Sequence, residues 1–434
     1  MSARPISNLR WWIGGLLFLS TVINYMDRQT LALLAPFLKL EYHWKNTDYA
    51  NLLIVFRVGY SLGQAVFGRV LDRLGTRRGI SLTVLSYSII AMATSTARGF
   101  FSFAAFRGLL GLAESANWPG ATKAVSEWFP RTERALATAL FDSGSSIGGA
   151  LAPFIVLGIY SRWGWRASFV VPGALGFLWL IMWRRMYYSP ANHPRISREE
   201  REMLTAANTL ADAQPNTNDR PLPMAVLLKL PQTWGAIFAK TLTDPVWFFI
   251  ADWFPIYLVA KGISLQSGLI AVWIPFIAAD LGNFFGGIVS GSLIKHGWTV
   301  GAARKSIAVF GSVGVLMLIP TIFTVNLYLL TLLFALSTFS FTAYSTIANV
   351  LPSDLFYSQS VASVSGLTGS GAGIGTIVAF KLIGHFSDQP HVAASHSFDQ
   401  IIIVASLVPM IGMFLILWLV RNTDATRQGL VREI

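Results

Sequence analysis

The stretch ATALFDSGSSIG at residues 137–148 recurs later in the chain as VSGLTGSGAGIG at residues 364–375. The identical pairs are Leu140/Leu367, Ser143/Ser370, Gly144/Gly371, Ile147/Ile374 and Gly148/Gly375. A weaker pair relates GRVLDRLGTRR at 68–78 to GGIVSGSLIKHG at 286–297. One match between glycine-rich stretches can arise by chance, but two in corresponding positions indicate a chain of two related halves.

The composition indicates a membrane protein. Of 434 residues, 53% are hydrophobic and 12% are charged, about half the charged share of an ordinary soluble domain. The net charge of +12 does not point to nucleic acid, because the basic residues form short clusters between apolar runs. The chain has no cysteine, which excludes disulfides and thiolate metal sites.

Apolar runs long enough to cross a bilayer recur along the whole chain. They predict twelve spans at about 11–38, 48–72, 78–97, 99–127, 133–160, 165–188, 233–260, 266–294, 302–323, 325–351, 358–386 and 398–420. The first run lacks a small-residue cleavage site, so we interpret it as a span and not as a signal peptide. Spans of this length satisfy their backbone in lipid as helices. We therefore expect an all-α polytopic membrane protein with two pseudo-symmetric six-helix bundles, an architecture of transporters.

Arginine and lysine predict the orientation. One side of the membrane holds only Lys39, Lys45, Arg98, Arg162, Arg166 and Lys261, whereas the other collects the remaining basic loops and both termini. The richer side is predicted to be cytoplasmic, in a multi-pass protein of the plasma (inner) membrane. Residues 189–232 interrupt the spans with prolines and QPNTND, a linker composition. This predicts bundles at 1–188 and 233–434, joined by a cytoplasmic linker whose short helix begins with a capping box, Ser197 to Glu200.

Ionisable residues within spans are costly and by default functional. The first half carries Asp27, Arg28, Arg57, Arg107, Glu114, Lys123 and Asp142. Arg107 and Glu114 are two turns apart on one helical face, and Asn24 shares a face with Arg28. Three arginines, at 28, 57 and 107, predict an anion-selective cavity whose forked donors suit a carboxylate.

Two acids among these arginines predict coupling to protons. Burial disfavours a charged carboxylate and a neighbouring arginine favours it. A substrate anion that occupies the arginine removes the second effect, so that anion and proton bind together. The alternative is that Arg107–Glu114 and Asp27–Arg28 are static ion pairs between helices, although such pairs stabilise proteins weakly.

Other polar residues in the spans are candidates for contacts with substrate hydroxyls. They are Tyr25, Tyr60, Ser143, Ser145, Thr368 and Ser370. Serine and threonine in spans also serve helix packing or bond their own backbone. Asp142, beside glycines and serines, is expected to face the cavity. No histidine cluster, phosphate-binding loop or nucleophile–base pair stands out, so we expect no metal site, no cofactor, no ATP-driven pump and no enzyme.

GRVLDRLGTRR at 68–78 predicts a gate at the cytoplasmic end of the second span. Its candidate gating residues are Gly68, Asp72, Arg73, Gly75, Arg77 and Arg78. We expect its charges to hold one conformation closed until substrate binds. Anchoring by positive charge alone would explain the arginines but not Asp72 or the glycine spacing.

This motif resembles the loop between the second and third spans of the major facilitator superfamily. NYMDR at 24–28, residues 107–130, residues 133–153 and DPVWFFIADWFPIYL at 244–258 are similar to its anion:cation symporter branch. That branch includes hexuronate and aldonate transporters and vesicular glutamate and phosphate carriers. The resemblance extends from residue 9 to about residue 420.

The resemblance implies alternating access, with Tyr25 and Arg28 binding substrate and Asp27 and Glu114 carrying protons. It also implies that Arg107 links the two acids and that Tyr60 lines the cavity. The chain departs from the family pattern at three positions. Ser145 replaces a glutamine of the aldonate carriers, Asp142 replaces an uncharged residue, and Gly291 stands where an aspartate is frequent.

The hypothesis is a proton-coupled symporter that imports a sugar-acid anion, a hexuronate such as galacturonate or glucuronate. Its partners are that anion, protons and the lipid bilayer, with no nucleic acid, and we expect a monomer. The alternatives are a carrier of an aldonate, glucarate or an aromatic carboxylate, a sodium-coupled phosphate carrier, and a non-transporting membrane receptor.

Overall fold

The computed structural model describes residues 5–44, 46–209, 221–250, 254, 257–258, 261–263, 269–387 and 398–420, and most of these residues are helical. The helices are α1 (Leu9–Tyr42), α2 (Asn46–Leu74), α3 (Thr76–Ala93), α4 (Phe100–Glu114), α5 (Asn117–Trp128), α6 (Arg131–Met186), α7 (Arg198–Thr209), α8 (Met224–Leu227), α9 (Pro231–Phe248), α10 (Leu269–Lys295), α11 (Val300–Val315), α12 (Leu327–Leu355), α13 (Ser358–Ser387) and α14 (Asp399–Leu419). Among the described residues, the β-type pairing consists of one isolated bridge between Ile6 and Ile196. The all-α prediction is confirmed.

Each predicted span overlaps described helix, although most of 251–268, where the seventh span ends and the eighth begins, lies outside the described residues. The helices are divided differently from the prediction in two places. The fourth span is broken between α4 and α5, where Pro119 lacks the N–H that would bond the carbonyl of Ser115. The fifth and sixth spans run on as α6, which bends at Gly164 (φ 75°), a backbone angle that favours glycine. By length and hydropathy, seven described segments qualify on their own as membrane-crossing helices, the whole of α6 counting once.

The chain forms two compact units. The first contains Met1–Pro130, Leu140–Met224 and Phe356–Ser370, and the second contains Arg131–Ala139, Ala225–Leu355 and Gly371–Ile434. A core of the first unit packs aromatic and aliphatic side chains around Phe103 and Trp165. A core of the second unit centres on Phe254, Tyr257 and Phe334. The division into bundles at 1–188 and 233–434 remains a prediction.

The glycines of the repeated stretch have the same packing role in both halves. A Cβ at Gly144 would lie 2.6 Å from the carbonyl oxygen of Phe18, and one at Gly148 would lie 2.5 Å from that of Val22, both on α1. In the second unit, Cβ atoms at Gly371 and Gly375 would collide with Ile237 or Thr241 of α9. The repeat therefore marks where one helix of each half packs closely against that half's first helix, a contact for which small residues are required.

The linker helix α7 is attached to the start of α1. Ser197 caps α7 by accepting the N–H of Glu200 at 3.1 Å. The Glu200 carboxylate then accepts the N–H groups of Leu9 at 2.9 Å and Arg10 at 3.0 Å, and pairs with the Arg10 side chain at 3.0 Å. The predicted capping box is therefore half formed, because its glutamate caps another helix.

Candidate functional site

The candidate site is built on the middle of α1 and the second half of α4. Asn24 and Asp27 are buried, and Arg28 and Tyr25 are half-buried. Their positions follow from helical spacing, since residues four apart lie on the same face. Glycines bring the neighbouring helix close: a Cβ at Gly111 of α4 would collide with the carbonyl oxygen of Phe56 on α2.

Arg28 lies at the centre of this cluster. Its Nε donates to Oε2 of Glu114 at 2.6 Å, and the Arg28 side chain is 20% exposed whereas that of Glu114 is 0% exposed. Its guanidinium carbon lies 4.9 Å from the ring centre of Tyr25, 5.3 Å from that of Phe56 and 4.4 Å from that of Tyr60. Three rings and one carboxylate therefore fix the direction in which the arginine fork points.

The remaining charges of the cluster keep unused hydrogen-bonding atoms. Among the described residues, Oδ2 of Asp27, Nε and Nη2 of Arg107 and Nη2 of Arg28 are buried without a hydrogen-bond partner. Asp27 lies within electrostatic range of both Glu114 and Arg107. Buried polar atoms are normally bonded, so unused ones at one place mark a polar interior that can take a ligand, water or a proton.

The ion pairing differs from both static pairs considered from the sequence. The structure pairs Arg28 with Glu114, whereas the static alternative considered from the sequence paired Arg107 with Glu114 and Asp27 with Arg28. Arg57 and Asp142 belong to the same region, because both act electrostatically on Tyr25. The structure thus brings together Tyr25, Asp27, Arg28, Arg57, Tyr60, Arg107, Glu114 and Asp142.

The four serine and threonine hydroxyls that were predicted to contact substrate are hydrogen-bonded to backbone groups. Ser143 donates to Leu140 at 2.8 Å, Ser145 to Asp142 at 2.7 Å and Thr368 to Ser365 at 2.7 Å, each to a carbonyl of its own helix. Ser370 donates to the carbonyl of Ser61 at 2.6 Å and accepts the N–H of Ala65 at 3.1 Å. These bonds use the hydroxyl hydrogens, and the roles of the four residues toward substrate stay predictions.

The GRVLDRLGTRR segment forms a second charged cluster in the first unit. Asp72 is buried and accepts Nζ of Lys123 at 2.7 Å, the N–H of Ser363 at 2.7 Å and the N–H of Ala362 at 3.3 Å. Lys123 also donates to the carbonyl of Ser358 at 2.8 Å. Asp72 therefore binds α5 and the first turns of α13 at once, and sequence reasoning had missed the α13 partners.

The other predicted gating residues surround this cluster. A Cβ at Gly68 would collide with the carbonyl of Ala362, so the glycine permits α2 and α13 to touch. Gly75 has φ 78° in the tight turn between α2 and α3. Arg77 bonds the carbonyl of Arg184 and covers the ring of Tyr188, and Arg73 and Arg78 are exposed.

The second unit has its own charged cluster, which the sequence did not single out. Asp354, at the end of α12, accepts Nε of Arg304 at 2.8 Å and lies 3.6 Å from Nη1 of Arg134. Gly291 lets α10 approach the start of α6, because its Cβ would collide with the carbonyl of Thr132. The glycine that replaces the family's aspartate thus marks a close helix contact.

A largely buried ion pair on α9 was also missed. Lys240 lies 3.0 Å from Asp244 and donates to Oδ1 of Asn349 at 2.8 Å. The rule that selected Arg28 and Glu114, charge within a predicted span, also selects this pair. Its i,i+4 spacing is the signal that was available.

Comparison with known proteins identifies the family to which this chain belongs. The sequence profile of the Major Facilitator Superfamily matches residues 17–380. A hexuronate transporter of Escherichia coli (strain K12) is 30% identical over 427 residues, 97% of this chain and 96% of that protein. A galacturonate transporter of Dickeya chrysanthemi is 34% identical over 284 residues, 65% of this chain and 81% of that protein.

A solved structure shares the fold. The proton:xylose symporter XylE, bound to 6-bromo-6-deoxy-D-glucose, superposes with a TM-score of 0.71 at 13% identity, over 94% of this chain and 95% of that one. The expectation of a non-enzymatic, multi-pass membrane transporter is confirmed. On the profile match and the relatives together, this chain belongs to the Major Facilitator Superfamily.

Proposed function

We propose that this protein is a proton-coupled symporter that imports a sugar-acid anion, a hexuronate such as galacturonate or glucuronate, by alternating access. The observation that carries the proposal is the Arg28–Glu114 pair, a partly exposed arginine on a fully buried carboxylate. The relatives named for hexuronate and galacturonate transport support the substrate class.

Arg28 has the geometry of a carboxylate clamp. Its Nε is taken by Glu114, while Nη2 has no hydrogen-bond partner among the described residues. A substrate carboxylate that accepts two N–H groups of the fork replaces Glu114 and gains two charge-assisted bonds. Tyr25, Phe56 and Tyr60, which already flank the guanidinium, then form the walls against which the sugar ring lies.

Displacement of Glu114 supplies the coupling. A buried carboxylate without its cation is strongly disfavoured in the charged form, so Glu114 takes a proton when substrate takes Arg28. Asp27 and Arg107, within electrostatic range of Glu114, form the rest of the proton path. Substrate and proton therefore enter in the same step and leave in the same step.

The further assignments of this proposal follow the sequence. Hydroxyl contacts are assigned to Ser143, Ser145, Thr368 and Ser370, and Arg57 and Asp142 complete the cavity. The arginine-rich side is cytoplasmic, both termini lie on it, and the protein acts as a monomer in the plasma (inner) membrane.

Uptake by purified protein in proteoliposomes tests the proposal. Radiolabelled galacturonate and glucuronate should accumulate when the outside is acidic, and a protonophore should abolish the accumulation. Aldonates, glucarate, aromatic acids and phosphate belong in the same panel. Uptake of phosphate driven by a sodium gradient, or saturable binding with no uptake of any anion, would contradict the proposal and favour a sodium-coupled carrier or a receptor.

A further inference from the structure

A groove lies on the first unit between the start of α3 and the end of α6. Its volume is about 360 Å³, and its lining includes Arg77, Arg78 and Arg184 at one end and Leu82, Leu85 and Leu180 along the walls. None of the described residues that line it is acidic. The groove is separate from the Arg28 cluster, where substrate and proton are proposed to bind, although Arg77 and Arg78 are also predicted gating residues.

The arginines leave donors available in this groove. Arg77 bonds the carbonyl of Arg184 through Nη2 and lies over the ring of Tyr188, but its Nε is buried with no hydrogen-bond partner in the described part of the chain. Arg78 and Arg184 are exposed. Arg77 and Arg78 also occupy the first turn of α3, where the helix dipole is already positive, so an anion there is favoured twice.

On both walls of the groove the arginines lie near the helix end and the leucines lie further along the helix, toward its middle. On α3, Arg78, Leu82 and Leu85 follow one another at spacings of four and three, which is one helical face. On α6, Leu180 precedes Arg184 by four and lies on the same face as it. Leu82 is 53% exposed, and both helices are membrane spans, so the leucines face the acyl-chain region while the arginines lie at the helix ends.

We propose that this groove binds an anionic phospholipid, with its phosphate held by Arg77, Arg78 and Arg184 and an acyl chain along the leucines. Basic pockets between membrane helices at the headgroup level bind lipids of this charge. A free phosphate would satisfy the arginines equally well but would leave the apolar walls without a partner. The leucines on the two walls therefore favour a phospholipid over a free phosphate as the ligand.

Native mass spectrometry of the purified protein tests this with phosphatidylglycerol as the probe. The groove variant is Arg78→Gln/Arg184→Gln, and the matched control is Arg185→Gln/Arg198→Gln, two exposed arginines outside the groove. Phosphatidylglycerol should bind the groove variant roughly 30-fold more weakly than wild type, the factor for two surface arginines at ~1 kcal/mol each. The control should stay within about twofold. The readout is lipid retention and not transport, because Arg77 and Arg78 are also predicted gating residues.

Phosphatidylcholine with the same chains should bind at least roughly tenfold more weakly than phosphatidylglycerol, because it carries no net charge. Inorganic phosphate should not displace the bound lipid. Unchanged phosphatidylglycerol affinity in the groove variant would overturn the proposal. Displacement by inorganic phosphate, with no dependence on acyl chains, would overturn it in favour of a free-anion site. Thermal unfolding of each variant confirms that a lost signal is not a folding defect.

Discussion

At the scale of single residues, the function proposed here depends on a competition for Arg28. Glu114 holds the arginine at 2.6 Å and is itself fully buried, so neither partner can leave without cost. Removing one member of such a pair leaves an uncompensated buried charge, at a cost of roughly 3–5 kcal/mol. A substrate carboxylate and a proton, arriving together, are the two species that relieve that cost.

Glu114→Gln should separate exchange from accumulation. Glutamine cannot take up and release the coupling proton, so proton-driven accumulation should fall at least roughly tenfold. Counterflow exchange should continue, because Arg28 is still available to the substrate. Uptake with and without a pH gradient, and counterflow at equal pH, measure the two activities in proteoliposomes.

The matched control for that change is Glu127→Gln. Glu127 is another glutamate of the first unit, outside the Arg28 cluster. Its carboxylate accepts hydrogen bonds from Thr76 and Tyr187, and it lies about 20 Å along the helical path from Glu114. Accumulation should persist in this variant. Wild-type accumulation by Glu114→Gln would show that Glu114 carries no proton.

Arg28→Lys should weaken substrate binding roughly 10- to 100-fold, because an ammonium offers neither a planar fork nor a face for stacking on the rings. Tryptophan fluorescence or isothermal titration with galacturonate measures the Kd, and Arg185→Lys at an exposed site is the control. An unchanged Kd would mean that another cation holds the carboxylate.

Residue spacing predicted which charges share a helix face but not which charges meet. Asn24 and Arg28, or Arg107 and Glu114, follow from 3.6 residues per turn. The meeting of Arg28 with Glu114 depends on how α1, α2 and α4 pack together, and glycines such as Gly111, which lies against the backbone of α2, allow part of that packing. The helical period is sufficient to predict which side chains share a face of one helix, whereas contacts between side chains of different helices depend on how the helices pack.

At the scale of helices, α7 stabilises the first turn of α1 through Glu200. Helix N-termini leave backbone N–H groups unbonded, and a carboxylate there also opposes the helix dipole. Asn8, which precedes α1, makes no side-chain cap. Glu200 supplies from the linker the cap that the local sequence lacks.

Glu200→Ala should lower the free energy of unfolding by about 1–2 kcal/mol, the usual size of a lost cap. It should also increase hydrogen exchange at the amides of Leu9 and Arg10. Glu202→Ala is the control in the same helix, because among the described residues Glu202 makes an exposed pair with Arg198 and no bond to α1. Equal effects of the two changes on the first turn of α1 would contradict the cap.

His193 makes the same linker sensitive to pH. Its Nε2 lies 2.9 Å from the carbonyl of Met186, and its Nδ1 accepts the N–H of Arg195 at 3.0 Å, which requires a neutral ring. Burial lowers the pKa of His193 below its ordinary value of 6.5. Because the unfolded segment binds the proton more readily, protonation favours unfolding of this segment. The contribution of the neutral His193 ring to the stability of the linker is therefore fully present above about pH 6.5 and is lost as the pH falls below that value.

Hydrogen exchange over residues 186–196 should therefore be slow at pH 7.5 and faster at pH 5.5, after correction for the intrinsic rate. His193→Phe preserves a ring against Trp128 and Tyr188 but cannot titrate, so its corrected exchange should not change with pH. The same pH response in that variant would assign the effect to another group.

The helical state of the spans was predictable because lipid leaves the backbone no alternative partner. Where α6 bends and where the fourth span breaks depended on single residues, Gly164 and Pro119, whose effect varies with packing. The cap from Glu200 was not predictable, because its motif, Ser197 to Glu200, reads as a local capping box. The partner 190 residues away appears only in the folded chain.

At the scale of the whole molecule, each compact unit carries an interhelical charged cluster. In the first unit, Asp72 binds Lys123 and the start of α13. In the second, Asp354 binds Arg304 and lies beside Arg134. Alternating access requires helices to separate and meet again, and charged contacts between helix ends can be broken and remade without burying new apolar surface.

Asp72→Asn should release the first turns of α13 from α2 and α5. The change removes the charge that Lys123 and the N–H of Ser363 bind, and a broken buried pair costs enough to change the population of two states by tenfold or more.

Cysteine labelling measures this release. The chain has no cysteine, so a single Ser365→Cys reports the contact: Ser365 is buried and lies beside Thr122 of α5. Labelling by a membrane-impermeant maleimide should be roughly tenfold faster with Asp72→Asn. Only vesicles that expose the arginine-rich side should show the increase. Asp48→Asn, at the opposite end of α2, should label at the parental rate. If Asp72→Asn labels no faster than the parent, Asp72 does not hold this contact closed.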